Sequence, residues 1–244
     1  MSELVQSNIK NLSALWESAG MPFQGFFADD ELGYSRVLNS NWPNRIWLKQ
    51  TLEEPLLNRV KEVIGSSAIP LSFSYWDDFG SPNFLFIEKN GFTKKSEQIG
   101  MSLALQDKFE NKRNIHLELV SETDQATAWA EIYPQSFGYQ ISPKILMETK
   151  ELIKYYLIYL GGRPIGTAIT FQTGNEIGIH GVGVIPEMRK RGFADEAMAF
   201  ILNEAIESSL SNAFLQASAM GERIYQRMGF QIDFLQTNYI LAKF

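Results

Sequence analysis

The stretch Glu176-Ile-Gly-Ile-His180-Gly-Val-Gly-Val184-Ile-Pro-Glu-Met-Arg189-Lys-Arg-Gly192-Phe-Ala194 decides how this chain reads. Ile177 to Ile185 is a short apolar run rich in β-branched residues and bounded by Asn175 and Pro186, so it predicts a strand. From about Arg191 to Glu207, apolar residues at Phe193, Ala197, Phe200, Ile201 and Ala205 recur at helical spacing. Between the two lies Pro186 to Ala194, a turn with Arg189, Lys190 and Arg191 in succession and Gly192 at the helix start. Such a turn aims free backbone N–H groups and the positive end of a helix dipole at one spot, which suits a phosphate. Basic side chains add charge where the backbone already donates hydrogen bonds. Taken alone, these residues fit a solvated basic loop equally well, so the flanking sequence has to decide.

Downstream, Ala213 to Ala217 predicts a strand, Gly221 to Met228 a helix and Asn238 to Ala242 a closing strand. Upstream, Ile115 to Val120 reads as a strand and Glu122 to Phe137 as a helix. The loop Gly138 to Pro143 and a short helix, Lys144 to Thr149, follow. Strands at Lys154 to Leu160 and Arg163 to Phe171 are joined by the turn Gly161-Gly162. Earlier still, helices are expected at residues 3–19, 52–64 and 83–89, and strands at 45–48, 71–76 and 97–105. The polar run Gln106 to Arg113 reads as a linker, which divides the chain into 1–110 and 111–244 with the boundary near Asn111.

Composition narrows the class. At 244 residues, 45% hydrophobic and 13% aromatic, the chain can bury a substantial core. The formal charge of −6 argues against nucleic acid as a partner. With no cysteine, disulfides, thiolate metal sites and cysteine nucleophiles are excluded. The first residues lack the basic start and apolar core of a signal peptide, and no apolar run approaches the ~20 residues of a membrane span. A cytoplasmic protein, monomer or homodimer, away from the membrane, is expected.

The order of elements and two motifs carry a family resemblance. Arg189-Lys-Arg-Gly192-Phe-Ala194 resembles the Arg/Gln-x-x-Gly-x-Gly/Ala pyrophosphate loop of the GNAT superfamily of acyl-CoA N-acyltransferases. Val182-Gly183-Val184 stands where that family's acyl-CoA-contacting strand ends. Leu215 to Phe230, with Tyr225-Gln-Arg-Met-Gly229-Phe230, resembles the family's strand and following helix ending Tyr-x-x-x-Gly-Phe. It departs upstream, where Ser218 and Gly221 replace the Asn and Ala of many members. The resemblance implies an α/β chain in α+β layers: a GNAT fold with a mixed, mostly antiparallel sheet flanked by helices. It covers the second half, 111–244. The first half echoes it, because Phe84 to Gly91-Phe92 resembles Arg223 to Gly229-Phe230. Two tandem domains are therefore expected. The first is degenerate: it has no phosphate loop, and Ile87 stands where a tyrosine would be.

What the resemblance implies for chemistry is acyl transfer from acetyl-CoA, a cosubstrate, to an unidentified amine acceptor, with no metal. Val182 to Val184 would pair with the pantetheine, Arg189 to Ala194 would hold the pyrophosphate, and Ser218 would border the coenzyme. Tyr225 would protonate the departing thiolate; a tyrosine packed on the core is the plainer reading of that residue. His180 and Glu176 are the candidate bases. The first reads equally well as a core histidine and the second as a solvated strand end. Gly181 and Gly183 would permit the bulge that the family has in this strand. Without a cysteine no acyl-cysteine can form, which favours direct attack in a ternary complex. A non-catalytic acyl-CoA sensor or interaction module is the alternative, and thiol release with a panel of amines would separate the two.

Overall fold

The computed structural model describes residues 2–77, 79, 81–110, 112 and 114–242. Asn111, where the sequence puts its boundary, lies outside them. The first half contains α1 (Glu3–Gly20), β1 (Phe26–Ala28), β2 (Leu32–Ser35), β3 (Arg45–Leu48), α2 (Glu54–Ser66), β4 (Ser72–Asp77), α3 (Asn83–Lys89) and β5 (Phe92–Ala104). The second half begins with β6 (His116–Leu119), α4 (Thr123–Phe137), α5 (Pro143–Thr149), β7 (Ile153–Leu160) and β8 (Arg163–Thr173). It continues with β9 (Glu176–Val184), α6 (Phe193–Glu207), β10 (Asn212–Ala217), α7 (Glu222–Arg227) and β11 (Gln231–Leu241). The succession from β1 to β5, with α2 and α3, recurs from β7 to β11 with α6 and α7. Gly91 and Gly229 stand at the same place in the two series, both left-handed with φ of 89° and 96°. Each is followed by a buried phenylalanine, Phe92 or Phe230, that starts the next strand's packing.

The strands form one sheet in the order β1-β2-β3-β4-β11-β5-β10-β9-β8-β7-β6. Its centre is an exchange. β5, the last strand of the first half, lies antiparallel to β10 of the second half. β11, the last strand of the second half, lies antiparallel to β4 of the first. The two exchanged strands pair with each other from Phe92↔Leu241 to Ser102↔Gln231. Each half thus closes the other's sheet, and neither 1–110 nor 111–244 holds a complete set of neighbouring strands.

Two strands run beyond the sequence expectation. β5 begins at Phe92 rather than Glu97, and β11 begins at Gln231 rather than Asn238. Residues 93–97 are exposed and polar, so no alternation marks them; their pairing with β11 makes them strand. β2, where the sequence marks no element, is held between β1 and β3.

Helices cover both faces. α1, α4 and α5 pack Leu12, Leu15, Trp16, Trp129, Tyr133 and Leu146 onto one face. On the other, α6 brings Met198, Ile201 and Leu202, and α2 brings Leu57 and Val60. Burial of such side chains is worth roughly 1.5–3 kcal/mol each. α1 belongs to the first half in sequence, yet it packs on β8 and β9 of the second. No helix among the described residues is long and apolar enough to cross a membrane.

Candidate active site

β9 and β10 run parallel, but they pair only from Glu176↔Asn212 to Phe214↔Gly178. β10 then continues along β5, while β9 continues along β8 alone. From Ile179 onward the other edge of β9 therefore has no described strand against it, and its backbone groups face the gap. An open strand edge is a template for an extended partner.

β9 also carries a bulge. His180 pairs with Ile169 and Gly183 pairs with Thr167, so Gly181 and Val182 together oppose Ala168. Gly181 accommodates this with φ of 55°, a conformation that L side chains rarely adopt. The bulge resets the alternation. Gly181 faces Tyr133 of α4, whereas Val182 packs on the α6 side. Simple alternation would put His180 and Val182 on one face, and the bulge breaks that alternation. Gly183 is needed for a different reason: a Cβ there would come within 2.7 Å of the Phe137 ring.

After β9 the chain makes a single 3-10 turn, Pro186–Met188, and reaches α6 through Lys190 and Gly192, with φ of 60° and 82°. Gly192 is the N-cap of α6 and no side chain caps the helix there. The first-turn N–H groups thus lack side-chain partners. A Cβ on Gly192 would meet nothing within 4 Å, so no packing against the protein itself excludes a side chain. Arg189, Lys190 and Arg191 are exposed. Arg189 reaches the Ser136 carbonyl at 3.4 Å, and Arg191 lies 5.2 Å from the centre of the Phe193 ring. Phe193 is buried and Ala194 half-buried. Glu196 points inward and accepts from the Asn114 and Ile115 backbone at 2.5 and 3.0 Å, which ties α6 to the start of β6.

Tyr225 on α7 is half-buried, packs edge-on to Phe230 at 5.9 Å and touches the core under α6. Burial, with the nearby Asp195 carboxylate, pushes its pKa up to about 12. Asp195 lies in the first turn of α6, so Tyr225 and the basic turn share one neighbourhood. Ser218 is exposed where β10 ends, and its carbonyl accepts from Gly221 and Glu222 to start α7.

His180 and Glu176 lie on the α1 side of β9, but four residues of strand, ~13 Å, separate them. Glu176 accepts from Asn212 Nδ2 at 3.4 Å at the paired end, away from the splay. His180 stands where the splay opens. Its Nε2 is buried without a partner, as is Oδ1 of Asn11 on α1. A Cβ on Gly178 would fall 2.6 Å from the first atom and 1.9 Å from the second, so both converge over a glycine that has room for no side chain. Burial pushes the His180 pKa down to about 4; the nearby Gln216 side chain opposes this and the charge of Arg45 adds to it. Gln216 in turn donates to Asn8 Oδ1 at 2.8 Å, and Asn8 donates to Met101 O at 3.1 Å.

Several of these residues escape a reading of sequence alone. Asn8 and Asn11 sit on the apolar face of α1 and are fully buried. Polar residues at buried positions of a periodic helix are a signal that could have marked them. Arg45, Tyr133, Tyr139 and Gln216 show no motif, and only the packing of α1 and α4 over the sheet gathers them. In the first half, the turn after β3 has no basic loop. The hollow at that place is lined by Glu31, Gln50, Thr51, Glu53, Pro55 and Leu56, whose carboxylates would repel a pyrophosphate.

The sequence pattern of the acetyltransferase (GNAT) family matches residues 101–230, more than half of the 244. Among solved structures, the chain is similar to a GCN5-related N-acetyltransferase from Kribbella flavida, with TM-score 0.68 and 17% identity over 93% of this chain and 95% of that one. It is similar to a functionally unknown conserved protein from Staphylococcus epidermidis, with TM-score 0.64 and 17% identity over 89% and 93% of the two chains. A GCN5-related N-acetyltransferase from Sphaerobacter thermophilus gives TM-score 0.62 and 15% identity over 94% and 90%. At such identities these likenesses speak for the fold. No curated protein matches the chain. Among the described residues no group of His, Asp and Glu side chains could hold a metal ion.

Proposed function

Because this chain belongs to the acetyltransferase (GNAT) family, we propose that it transfers an acetyl group from acetyl-CoA to an amine by direct attack in a ternary complex. The observation that carries the reading is the splay of β9 from β10, with the bulge at Gly181 and the uncapped start of α6 beside it. The fit to the cosubstrate is chemical. The open edge of β9 at Val182, Gly183 and Val184 offers backbone donors and acceptors to an amide-bearing pantetheine arm. Arg189, Lys190 and Arg191, with the N–H groups of Gly192, Phe193 and Ala194, offer charge and donors to a pyrophosphate. Ser218 borders the same gap from the end of β10.

The reaction forms a C–N bond and breaks the C–S bond of the thioester. A backbone N–H in the bulged stretch of β9 donates to the carbonyl oxygen, which gains negative charge as the amine adds. The amine gives up a proton to His180 or to water, since Glu176 stands at the paired end of β9 away from the splay. His180 is unprotonated at neutral pH because its pKa lies near 4, which leaves a lone pair free and makes it a weak base. Tyr225 gives its phenolic proton to the departing thiolate and recovers one from solvent. A pKa near 12 keeps that phenol protonated at neutral pH.

The test is thiol release from acetyl-CoA with a panel of amines, in the native protein and in Tyr225→Phe. That change removes the proton and keeps the ring against Phe230. General acid help is typically worth ~10²–10⁴ in rate, so a turnover loss of at least ~10-fold with acetyl-CoA affinity nearly intact is expected. Native turnover in Tyr225→Phe, with chemistry limiting the rate, would move the acid role elsewhere. Acetyl-CoA binding without thiol release from any amine would favour an acyl-CoA-binding module instead.

A further inference from the structure

Arg45 is the unused charge in this part of the fold. It lies on β3, in the first half, where Nε donates to the Pro43 carbonyl at 3.1 Å. Its guanidinium lies 4.4 Å from the centre of the Trp16 ring, on the face covered by α1. None of the ion pairs among the described residues includes it. Arginines drawn into a fold are almost always paired with a carboxylate. Arg45 is half-buried, and a ring face compensates a partly desolvated guanidinium less well than a carboxylate does.

The neighbours of Arg45 connect it to the splay. Its charge acts on the hydroxyls of Tyr133 and Tyr139 and on the His180 ring. Burial lowers its own pKa, and among the described residues no carboxylate contributes to its surroundings. The Tyr133 and Tyr139 hydroxyls hydrogen-bond each other. The Tyr133 ring in turn lies against Gly181, 3.0 Å from where a Cβ would stand. Tyr139 comes from the loop between α4 and α5. The segment before Arg45 is tied to that loop: the Asn41 N–H donates to the Gln140 carbonyl and the Gln140 N–H donates to Asn41 Oδ1, both at 2.9 Å.

We propose that Arg45 receives a carboxylate of the acceptor, and that the acceptor is an amine that also bears a carboxylate, of the free amino acid class. This rests on the acetyl-transfer reading for the identity of the reaction, and on Arg45 for the identity of the acceptor. The planar guanidinium fork matches a carboxylate with two parallel hydrogen bonds, and the resulting pair would offset the desolvated charge. A single arginine with no second cation among these neighbours suits a monoanion better than a dianionic phosphate. The amine of such an acceptor would be directed toward His180 and the bulge while its carboxylate stays with Arg45.

Binding is tested apart from catalysis. The full chain is titrated, with and without acetyl-CoA, with the proteinogenic α-amino acids, their α-amides and phosphoethanolamine. Heat of binding and thermal stabilisation are read, and thiol release is followed in parallel. The expected result is that at least one free amino acid binds ~10-fold or more tightly than its amide, and that Arg45→Met abolishes the difference. Loss of a bidentate charged contact should raise KM for the free acid more than it lowers kcat. Should Arg45→Met fail to fold, Arg45→Lys keeps the charge, loses the fork and should reduce the preference. Equal binding of acid and amide, no binding of any amino acid, tighter binding of phosphoethanolamine, or a preference untouched in the folded variant would each overturn the proposal. Arg45-dependent binding without thiol release would uphold the carboxylate site and count against acetyl transfer.

Discussion

His180 shows how much a single side chain owes to its surroundings. An unperturbed histidine titrates near neutrality, but here burial holds the ring neutral down to about pH 4. The folded value lies below the ordinary 6.5. The unfolded chain therefore takes up a proton that the native ring refuses, and stability present above about 6.5 is lost as pH falls toward 4. The loss from this group amounts to at most about 3 kcal/mol. Urea unfolding at neutral pH and near pH 4 should show a larger fall in the native protein than in His180→Gln. Parallel falls would place the acid sensitivity in other groups. The residue itself was legible in the sequence as a histidine inside an apolar strand. Its convergence with Asn11 over Gly178 was not, because Asn11 is more than a hundred residues away and arrives only through α1 packing.

At the level of elements, β9, its turn and α6 form one local unit. The strand run, the basic turn and the helical spacing are all properties of neighbouring residues, so the sequence could display them. The bulge was legible as a permission, two glycines in one strand. Its position follows from the register with β8, which Thr167↔Gly183 and Ile169↔His180 define. Gly192 combines a left-handed backbone with free space around its Cα. A valine there would be strained by φ of 82° and would stand over the first-turn N–H groups. Gly192→Val should therefore weaken acetyl-CoA by ~10-fold or more while the chain stays folded. Calorimetry decides this, and an unchanged affinity in a folded variant would return the turn to a solvated loop.

For the whole molecule, the exchange of β5 and β11 is the main structural fact. The repeat of elements makes the two halves look like separate units, whereas the sheet makes each half the neighbour the other lacks. α1 of the first half also packs on β8 and β9 of the second. The first half has the strands of the repeat but no basic turn like the one that precedes α6. Ile87 stands where the second half has Tyr225, and Glu53 and Glu54 begin α2 where basic residues precede α6. One acetyl-CoA per chain is therefore expected in a calorimetric titration. A stoichiometry near two would show that the acidic hollow beside α2 still binds the coenzyme.

By itself the sequence determined the order and type of the elements in the second half, the family, and the turn from Arg189 to Ala194. Hydrophobic period, turn residues and helix starts are set by residues within a few positions of each other. It also determined the echo between the halves, through the glycine and phenylalanine that start β5 and β11. Only the tertiary structure decided which strand each of these joins. Residues 93–97 are polar and exposed, and nothing local selects β11 over β10 as their partner. Only the tertiary structure decided the neighbours of His180, the fate of Asn8 and Asn11, and the seat of Arg45 against Trp16. Those depend on how α1 and α4 cross the sheet, through contacts between residues far apart in the chain.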